Sequence, residues 1–157
     1  MAELRRFFFK IGSTKAYAAV GRSLAPMDRL LLRVSRGKFG VGAAVGLRTL
    51  LLTTTGRSSG LQRQVPLLYV KQDKGYVVIG SNWGGEKHPA WSANLLAEPK
   101  AVVAIGGRSL RVEGRLLTGS ERDEMWRAVA SYWPAYDTYA ERASHREIRL
   151  FLLEPVG

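Results

Sequence analysis

The sequence predicts an α+β chain dominated by an antiparallel β-barrel with short helices. About six apolar segments have the length and the β-branched content of strands, and short turns join several of them. Strands and helices do not alternate along the chain, which disfavours a doubly wound parallel sheet. A chain of 157 residues has room for one sizeable hydrophobic core.

Positive charge is concentrated at the start of the chain. The net charge is +11, and residues 1–38 hold nine Lys or Arg against two acidic residues, which leaves +7. This basic first quarter indicates an anionic partner, either a membrane surface or a nucleic acid. No apolar run is long enough to cross a membrane, and no cleavage site follows the first apolar run. We therefore expect a cytoplasmic protein.

The first elements are predicted to be helices. Residues 4–24 have helical spacing, with Gly12 and Ser13 as weak points, and Pro26 is expected to begin a second helix. One face of the first helix is apolar and carries Leu4, Phe7, Phe8 and Ile11. We expect residues 1–38 to form a basic helical segment and residues 39–157 to form the barrel domain.

The remaining elements follow in order. Strands are predicted at 47–55, 64–71, 76–81, 100–105, 108–117 and 147–153, and helices at 89–96, 120–133 and 135–143. Asp73, Lys74 and Gly75 supply a hairpin turn. Ser120 is predicted to cap a helix together with Asp123, at the spacing of a capping box.

A basic, glycine-bracketed turn joins the first two strands. Gly56 and Gly60 let the chain turn sharply and bring backbone amides close to a ligand. Guanidinium and hydroxyl groups add donors suited to an anion such as a phosphate. Composition alone equally allows a hairpin turn with solvated arginines. The donors are Arg57, Ser58, Ser59 and Arg63.

Four blocks in order carry a family resemblance. They are TTTGRSSGLQRQVPLLYV, YVVIGSNWGGEKHPAWSANLLAEPKAVV, SERDEMWRAVASYWPAYDTYAER and IRLFLLEP. Their order and spacing resemble the deazaflavin-dependent nitroreductase family, actinobacterial oxidoreductases that use coenzyme F420 on a split β-barrel. The resemblance covers roughly residues 40–155 and implies hydride transfer from reduced F420 to quinones, activated alkenes or nitroaromatics. The alternatives are an FMN-binding split-barrel reductase and a non-catalytic basic module that binds a membrane surface.

The resemblance also implies a cofactor site. Arg57 and Arg63 match the family's two basic positions, where they would hold the phosphate and the polyglutamate tail of F420. Ser58 stands where Lys or Arg is frequent, and Asn82 also replaces a residue that is commonly basic. Ser81 matches a serine near the redox end of the deazaflavin. The further expected contacts are Ser59, Gln64, Val65, Pro66, Leu67, Leu68, Ile79, Gly80, Ala90, Trp91, Ser92, Ala93 and Asn94.

Three aromatic residues within the third block are expected at the substrate. Tyr136 and Tyr139 match substrate-pocket tyrosines of the family, and Trp133 stands where another tyrosine is frequent. A phenol can donate a hydrogen bond to an oxyanion that develops on the acceptor. The resemblance places Tyr136 against the cofactor as well. The alternative is that the three side chains form an aromatic core stripe.

The expected partners follow from the same patterns. Lys and Arg concentrate in the N-terminal helices while the strands are apolar, so nucleic acid is not expected. With no cysteine, His88 and His145 are too few for a transition-metal site. Basic residues beside Phe7, Phe8 and Phe9 favour peripheral binding to the inner face of the cell membrane. The alternative is that these helices cap the barrel.

Overall fold

A computed structural model, which describes residues 2–157, shows a closed six-stranded barrel. The strand order around the barrel is β1-β2-β3-β6-β5-β4, and every neighbouring pair is antiparallel. This confirms the predicted fold class. The strands are β1 (Thr49–Thr55), β2 (Gln62–Gln72), β3 (Gly75–Ile79), β4 (Lys100–Ile105), β5 (Arg108–Leu116) and β6 (Leu150–Pro155).

Helices precede the barrel and fill its long connections. Thr14 caps the second helix, because its hydroxyl accepts a hydrogen bond from the Tyr17 backbone N–H at 3.1 Å. A short 3-10 helix follows β3 at Asn82–Gly84. No helix in residues 2–157 combines the length and apolarity needed to cross a membrane. The α-helices are α1 (Ala2–Gly12), α2 (Lys15–Val34), α3 (Val41–Ala44), α4 (Ala90–Ala97), α5 (Gly119–Tyr132) and α6 (Ala135–Arg142).

The last strand closes the barrel between β3 and β5. Val77 of β3 faces Leu152, and Gly114 of β5 faces Leu153. Because all neighbours are antiparallel, the end of β1, the start of β2 and the end of β3 lie at one rim. The turn at 56–61 and the loop at 80–89 are therefore neighbours in space.

Alternation along the strands creates two hydrophobic cores. Val78, Phe151 and Leu153 point into the barrel and pack with Trp91 and Leu95 of α4. The intervening positions of the same strands point outward and pack under α5 and α6. Full burial of one such side chain stabilises the fold by about 1.5–3 kcal/mol. The outward members include Val77, Ile79, Leu150, Leu152, Trp133, Tyr136 and Tyr139.

Two local predictions about the helices were wrong. Pro26 lies inside α2 and does not begin a helix. Its position is exposed, so water can serve the carbonyl that the proline leaves unpaired, and buried Ala18 and Leu32 hold both halves of the helix. Helix α5 begins at Gly119 after Thr118, so Ser120 lies inside the helix, and no side chain in the described part of the chain caps its start.

The helical segment is interrupted between α1 and α2, at the weak point predicted around Gly12 and Ser13. The side chains of Leu4, Arg5, Phe8 and Phe9, which enter the prediction for the first helix, lie outside the described part of the structure. Phe7 is exposed and Ile11 is half-buried. At the junction between the two helices, Gly12 packs closely against the ring of Trp133, the residue that follows α5. A Cβ at Gly12 would lie 2.4 Å from that ring.

Candidate functional site

A groove of about 540 Å³ lies at this rim. The turn between β1 and β2 forms one side, and the loop after β3 with the start of α4 forms the other. The lining includes many of the residues predicted for the cofactor. Those residues are Arg57, Ser58, Ser59, Arg63, Gln64, Val65, Asn82, Ala90, Trp91 and Asn94, and the lining adds Gly56, His88 and Pro89.

Backbone hydrogen bonds hold the turn in shape. The Gly56 N–H donates to the Leu61 carbonyl at 2.7 Å, and the Gly60 N–H donates to the Gly56 carbonyl at 2.8 Å. Gly60 has a φ of +71°, a conformation that glycine adopts without steric cost. The Ser59 hydroxyl accepts from the Leu61 N–H at 3.2 Å. These bonds leave the guanidinium groups of Arg57 and Arg63 at the groove.

Asn94 connects the turn to α4. Its side-chain oxygen accepts from the Arg57 backbone N–H at 3.1 Å and from the Arg57 guanidinium at 3.3 Å. Its side-chain nitrogen donates to the Thr54 hydroxyl at 3.2 Å. Asn94 and Thr54 are both buried, so this network fixes the position of Arg57 with little solvent competition.

The electrostatics of the groove suit an anion. Arg57 and Arg63 are exposed, and none of the described residues that line the groove is acidic. Within residues 2–157, neither arginine forms an ion pair. Guanidinium groups bind phosphate and carboxylate oxygens with two parallel hydrogen bonds. The donor set therefore fits a ligand that carries a phosphate and carboxylates, as F420 does.

The opposite wall of the groove combines a packed aromatic ring with a strained turn. The Trp91 ring packs edge-on against Phe151, with 5.7 Å between ring centroids. Asn82 and Trp83 both have positive φ, at 46° and 49°, a conformation that costs free energy outside glycine. The Asn82 side chain compensates in part by donating to the Lys87 carbonyl at 3.1 Å.

Arg146 holds the loop at 80–88 and was missed by the sequence prediction. Its guanidinium donates to the carbonyls of Ser81, Gly85 and Gly80 at 2.8, 3.0 and 3.2 Å. It also lies 3.3 Å from Nδ1 of His88, which lines the groove. Because its partners are mostly backbone carbonyls, no pattern of side chains in the sequence indicates this contact.

The surroundings of His88 favour its neutral form. Burial, followed by the positive charges of Arg149, Arg146 and His145, lowers the pKa of His88. A guanidinium can only donate, so the contact with Arg146 assigns Nδ1 of His88 as the acceptor and leaves Nε2 with the proton. The groove thus holds a neutral imidazole N–H donor near neutral pH.

Other residues predicted for the cofactor site lie behind the groove. Leu67 packs with the inner core, and Leu68 and Ile79 pack with the outer core. Ser92 is buried, and its hydroxyl accepts from Arg149 at 3.0 Å. The remaining predicted residues lie next to the groove lining in the sequence and are not exposed. Pro66 and Ala93 are half-buried, and Gly80 and Ser81 are buried.

The three aromatic residues predicted at the substrate lie in the outer core. Trp133, Tyr136 and Tyr139 are buried and do not line the groove. The Tyr139 hydroxyl donates to the Gly12 carbonyl at the junction of α1 and α2. Burial raises the pKa of Tyr139 to about 12 and raises that of Tyr136 further. Both phenols therefore remain protonated donors across the physiological range.

Comparison with known proteins gives the family. The model of the F420H(2)-dependent quinone reductase family matches residues 27–155. A Mycobacterium tuberculosis (strain ATCC 25618 / H37Rv) protein named "Putative F420H(2)-dependent quinone reductase Rv3178" is 27% identical over 118 residues, which cover 75% of this chain and 98% of that protein.

Solved structures agree with this match. One described as an F420-H2 dependent reductase (FDR-A) is 36% identical, with a TM-score of 0.62, over 68% of this chain and 93% of its own. Another, described as a domain-swapped dimer, is 34% identical, with a TM-score of 0.64, over 78% of this chain and 92% of its own.

Proposed function

The chain belongs to the F420H(2)-dependent quinone reductase family, and from that premise we propose that it reduces quinones, activated alkenes or nitroaromatics with F420H2. The observation that carries this proposal is the groove, where two exposed arginines without ion pairs in residues 2–157 stand beside a glycine turn. When bound, the reduced deazaflavin supplies a hydride, so no protein nucleophile is required.

The residues of the groove have separate tasks in this proposal. Arg57 and Arg63 bind the phosphate end of the cofactor, and Ser58 and Ser59 add hydroxyl donors. Gln64, Val65 and Asn82 line the groove and would contact the ring. The other residues of 64–68 and 79–82 would support it from behind, and the resemblance puts Ser81 near the reacting end. Residues 90–94 close the opposite side. Water weakens polar interactions between a protein and its ligand. The packed wall formed by Trp91 would exclude water from the bound cofactor and so strengthen these interactions.

We propose that Tyr136 donates a hydrogen bond to the acceptor, with Tyr139 and Trp133 shaping the same pocket. In the described arrangement all three are covered, and α1 contacts α6 through the Tyr139–Gly12 hydrogen bond. The proposal therefore requires the junction of α1 and α2 to move away from α6 when an acceptor binds. His88 is a second donor already present at the groove.

The experiment that tests the cofactor assignment is a pair of titrations. Purified protein is titrated with F420 and with FMN, and the fluorescence of each ring reports binding. We expect saturable binding of F420 at lower concentration than FMN. Mixing the complex of F420H2 with a quinone should then oxidise the cofactor at a rate that depends on the protein. Preference for FMN, or no effect on the rate of quinone reduction, would contradict the proposed function.

We also propose peripheral binding to an anionic membrane at the cytoplasmic face, and a specific observation on α2 supports it. Five large apolar side chains of this helix are exposed, and Val34 is 77% exposed. Their spacing places them on one face that points away from buried Ala18 and Leu32. An exposed apolar face on a helix of a strongly basic segment is typical of helices that lie in a lipid interface. The five are Val20, Met27, Leu30, Leu31 and Val34.

A further inference from the structure

A second, smaller cavity lies between α2 and the start of β2. We call it the arginine cleft, and its volume is about 370 Å³. Two of its residues, Arg63 and Gln64, also line the cofactor groove, so the two cavities adjoin. Among the residues that the structure describes, the lining consists of Arg29, Arg33, Gln62, Arg63 and Gln64.

The arginine cleft concentrates positive charge that the protein does not neutralise. Three of its lining residues are arginines and none is acidic. In the part of the chain that the structure describes, Arg29, Arg33 and Arg63 have no ion-pair partner. Arg29 and Arg33 stand four residues apart on one helix, where like charges repel. An anionic ligand would relieve this repulsion.

The nearest acidic residue on α2 is already engaged elsewhere. The Asp28 carboxylate accepts a hydrogen bond from the Val41 backbone N–H at 2.7 Å, at the start of α3. Although Asp28 is next to Arg29 in the sequence, its carboxylate binds the start of α3. It is not among the described residues that line the arginine cleft. The three guanidinium groups offer bidentate sites whose geometry matches carboxylates.

We propose that the arginine cleft is a subsite for the glutamate tail of F420. This inference rests on the proposed function, in which the cofactor's phosphate lies at Arg57 and Arg63. In the cofactor the glutamates are attached beyond the phosphate. Arg63 lines both the groove and the cleft, so a tail that begins at the groove can continue into the cleft. The three guanidinium groups that line the cleft would then bind carboxylates of the tail. The N-terminal helix α2, which precedes the barrel, thereby contributes Arg29 and Arg33 to cofactor binding.

A membrane lipid is a weaker candidate for the same cleft. At about 100° per residue, Arg29 and Arg33 lie on a different face of α2 from Met27, Leu30 and Val34. A helix that rests on lipid through those apolar side chains would direct the arginine cleft sideways, toward the groove. The continuity of the two cavities through Arg63 and Gln64 favours a ligand that spans both.

The test compares forms of F420 that differ only in tail length. The double variant Arg29→Gln/Arg33→Gln removes two charges from the cleft and leaves Arg57 and Arg63 in place. The matched control is Arg108→Gln/Arg127→Gln, which removes two exposed arginines elsewhere. Dissociation constants are measured by ring fluorescence for a form without glutamate and for a long-tailed form. We expect the cleft variant to weaken binding of the long-tailed form by about threefold to tenfold, the range for two exposed charge pairs.

The other measurements separate the possible outcomes. The form without glutamate should bind the cleft variant within about twofold of the wild-type protein, and high salt should reduce the difference between the two tails. Equal tail dependence in the cleft variant and the control variant would overturn the subsite. Loss of sedimentation with phosphatidylglycerol vesicles, with both F420 forms unaffected, would assign the cleft to lipid and also overturn it. Failure of the wild-type protein to bind either form would instead contradict the proposed function.

Discussion

Asn94 accepts two hydrogen bonds from Arg57 with a single side-chain oxygen, one from the backbone N–H and one from the guanidinium. Its side-chain nitrogen donates to Thr54 at the end of β1. Asn94 therefore links α4, β1 and the basic turn through three bonds at a buried position. The consequence is that the wall of the groove and its arginine are held as one unit.

The first prediction concerns this link. Asn94→Ala leaves the Arg57 N–H and the Thr54 hydroxyl without their partner, and we expect a loss of about 1–3 kcal/mol in the free energy of unfolding. Urea denaturation measures it. Affinity for F420 should fall as well, because Arg57 is released from its position.

The control for this prediction is Leu96→Ala, an exposed position on the same helix. It should change neither stability nor affinity appreciably. If Asn94→Ala lowers stability while F420 binds as in the wild-type protein, Asn94 has no part in positioning Arg57.

The second prediction concerns the two arginines of the groove. Arg57→Ala and Arg63→Ala should each weaken F420 binding by about 1–3 kcal/mol, the contribution of a charge-assisted hydrogen bond. Arg108→Ala is the control for net charge. Equal F420 affinity in the wild-type protein and both variants would remove the assignment of the basic turn to the cofactor.

The third prediction concerns Arg146. Its guanidinium donates to three backbone carbonyls of the loop at 80–88, so Arg146→Met should destabilise the protein by about 1.5–3 kcal/mol. Arg146→Lys should restore only part of this, because an ammonium cannot reproduce the planar arrangement of donors. The change should also raise the pKa of His88, since one of the charges that lower it is removed.

Titration of the His88 ring by NMR checks the pKa. The folded state lowers this pKa below the usual 6.5, so the neutral form stabilises the native protein above that pH. This stability is lost as the pH falls through the folded-state pKa. In Arg146→Met the loss attributable to His88 should be smaller. An unchanged His88 pKa would show that the contact with Arg146 does not influence the imidazole.

The sequence predicted the barrel well because its determinants are local. Strand length, alternation and turn residues such as Gly75 are properties of short segments, and they place all six strands within a few residues. By contrast, the local rule that a proline begins a helix fails at Pro26, because tertiary packing overrides it. The buried contacts of Ala18 and Leu32 keep α2 continuous through the proline.

The candidate site was only partly predictable for the same reason. The basic turn and α4 are contiguous motifs, and the structure places both at the groove. Arg146 acts on backbone carbonyls some sixty residues away in sequence, so no spacing reveals it. Burial of Tyr136 depends on where α6 packs, which residue type does not determine.

The fourth prediction concerns Tyr136. If Tyr136 donates to the acceptor, Tyr136→Phe should lower turnover of a quinone or an enone by up to about 2.7–4 kcal/mol of barrier. F420 affinity should change less. Stopped-flow measurement of F420H2 oxidation, with affinity from fluorescence, separates the two quantities.

Tyr139→Phe serves as the comparison for Tyr136→Phe. It removes the hydrogen bond to the Gly12 carbonyl, which should cost about 0.5–1.5 kcal/mol of stability. Turnover that is unchanged by Tyr136→Phe with several acceptors would restrict this side chain to packing against Trp126 and Tyr139.

The fifth prediction concerns the outward face of α2. Leu30→Ser/Val34→Ser removes two exposed apolar side chains, and burial of each in lipid would contribute about 1.5–3 kcal/mol. We therefore expect the affinity for phosphatidylglycerol vesicles to fall at least about tenfold in a sedimentation assay. Salt should weaken binding of the wild-type protein without abolishing it, because screening affects the arginines but not the apolar contact.

The matched control is Leu96→Ser/Val156→Ser, which removes two exposed apolar side chains away from α2. It should bind vesicles as the wild-type protein does. If the α2 variant also binds unchanged, the outward face of α2 does not contact lipid. If the wild-type protein forms a dimer in solution that the α2 variant lacks, and neither binds vesicles, the apolar face is an interface between two copies. Vesicle binding that is lost in the α2 variant and kept in the control would instead support the membrane proposal. The groove would then lie beside the membrane, and a lipid-soluble quinone would enter it directly.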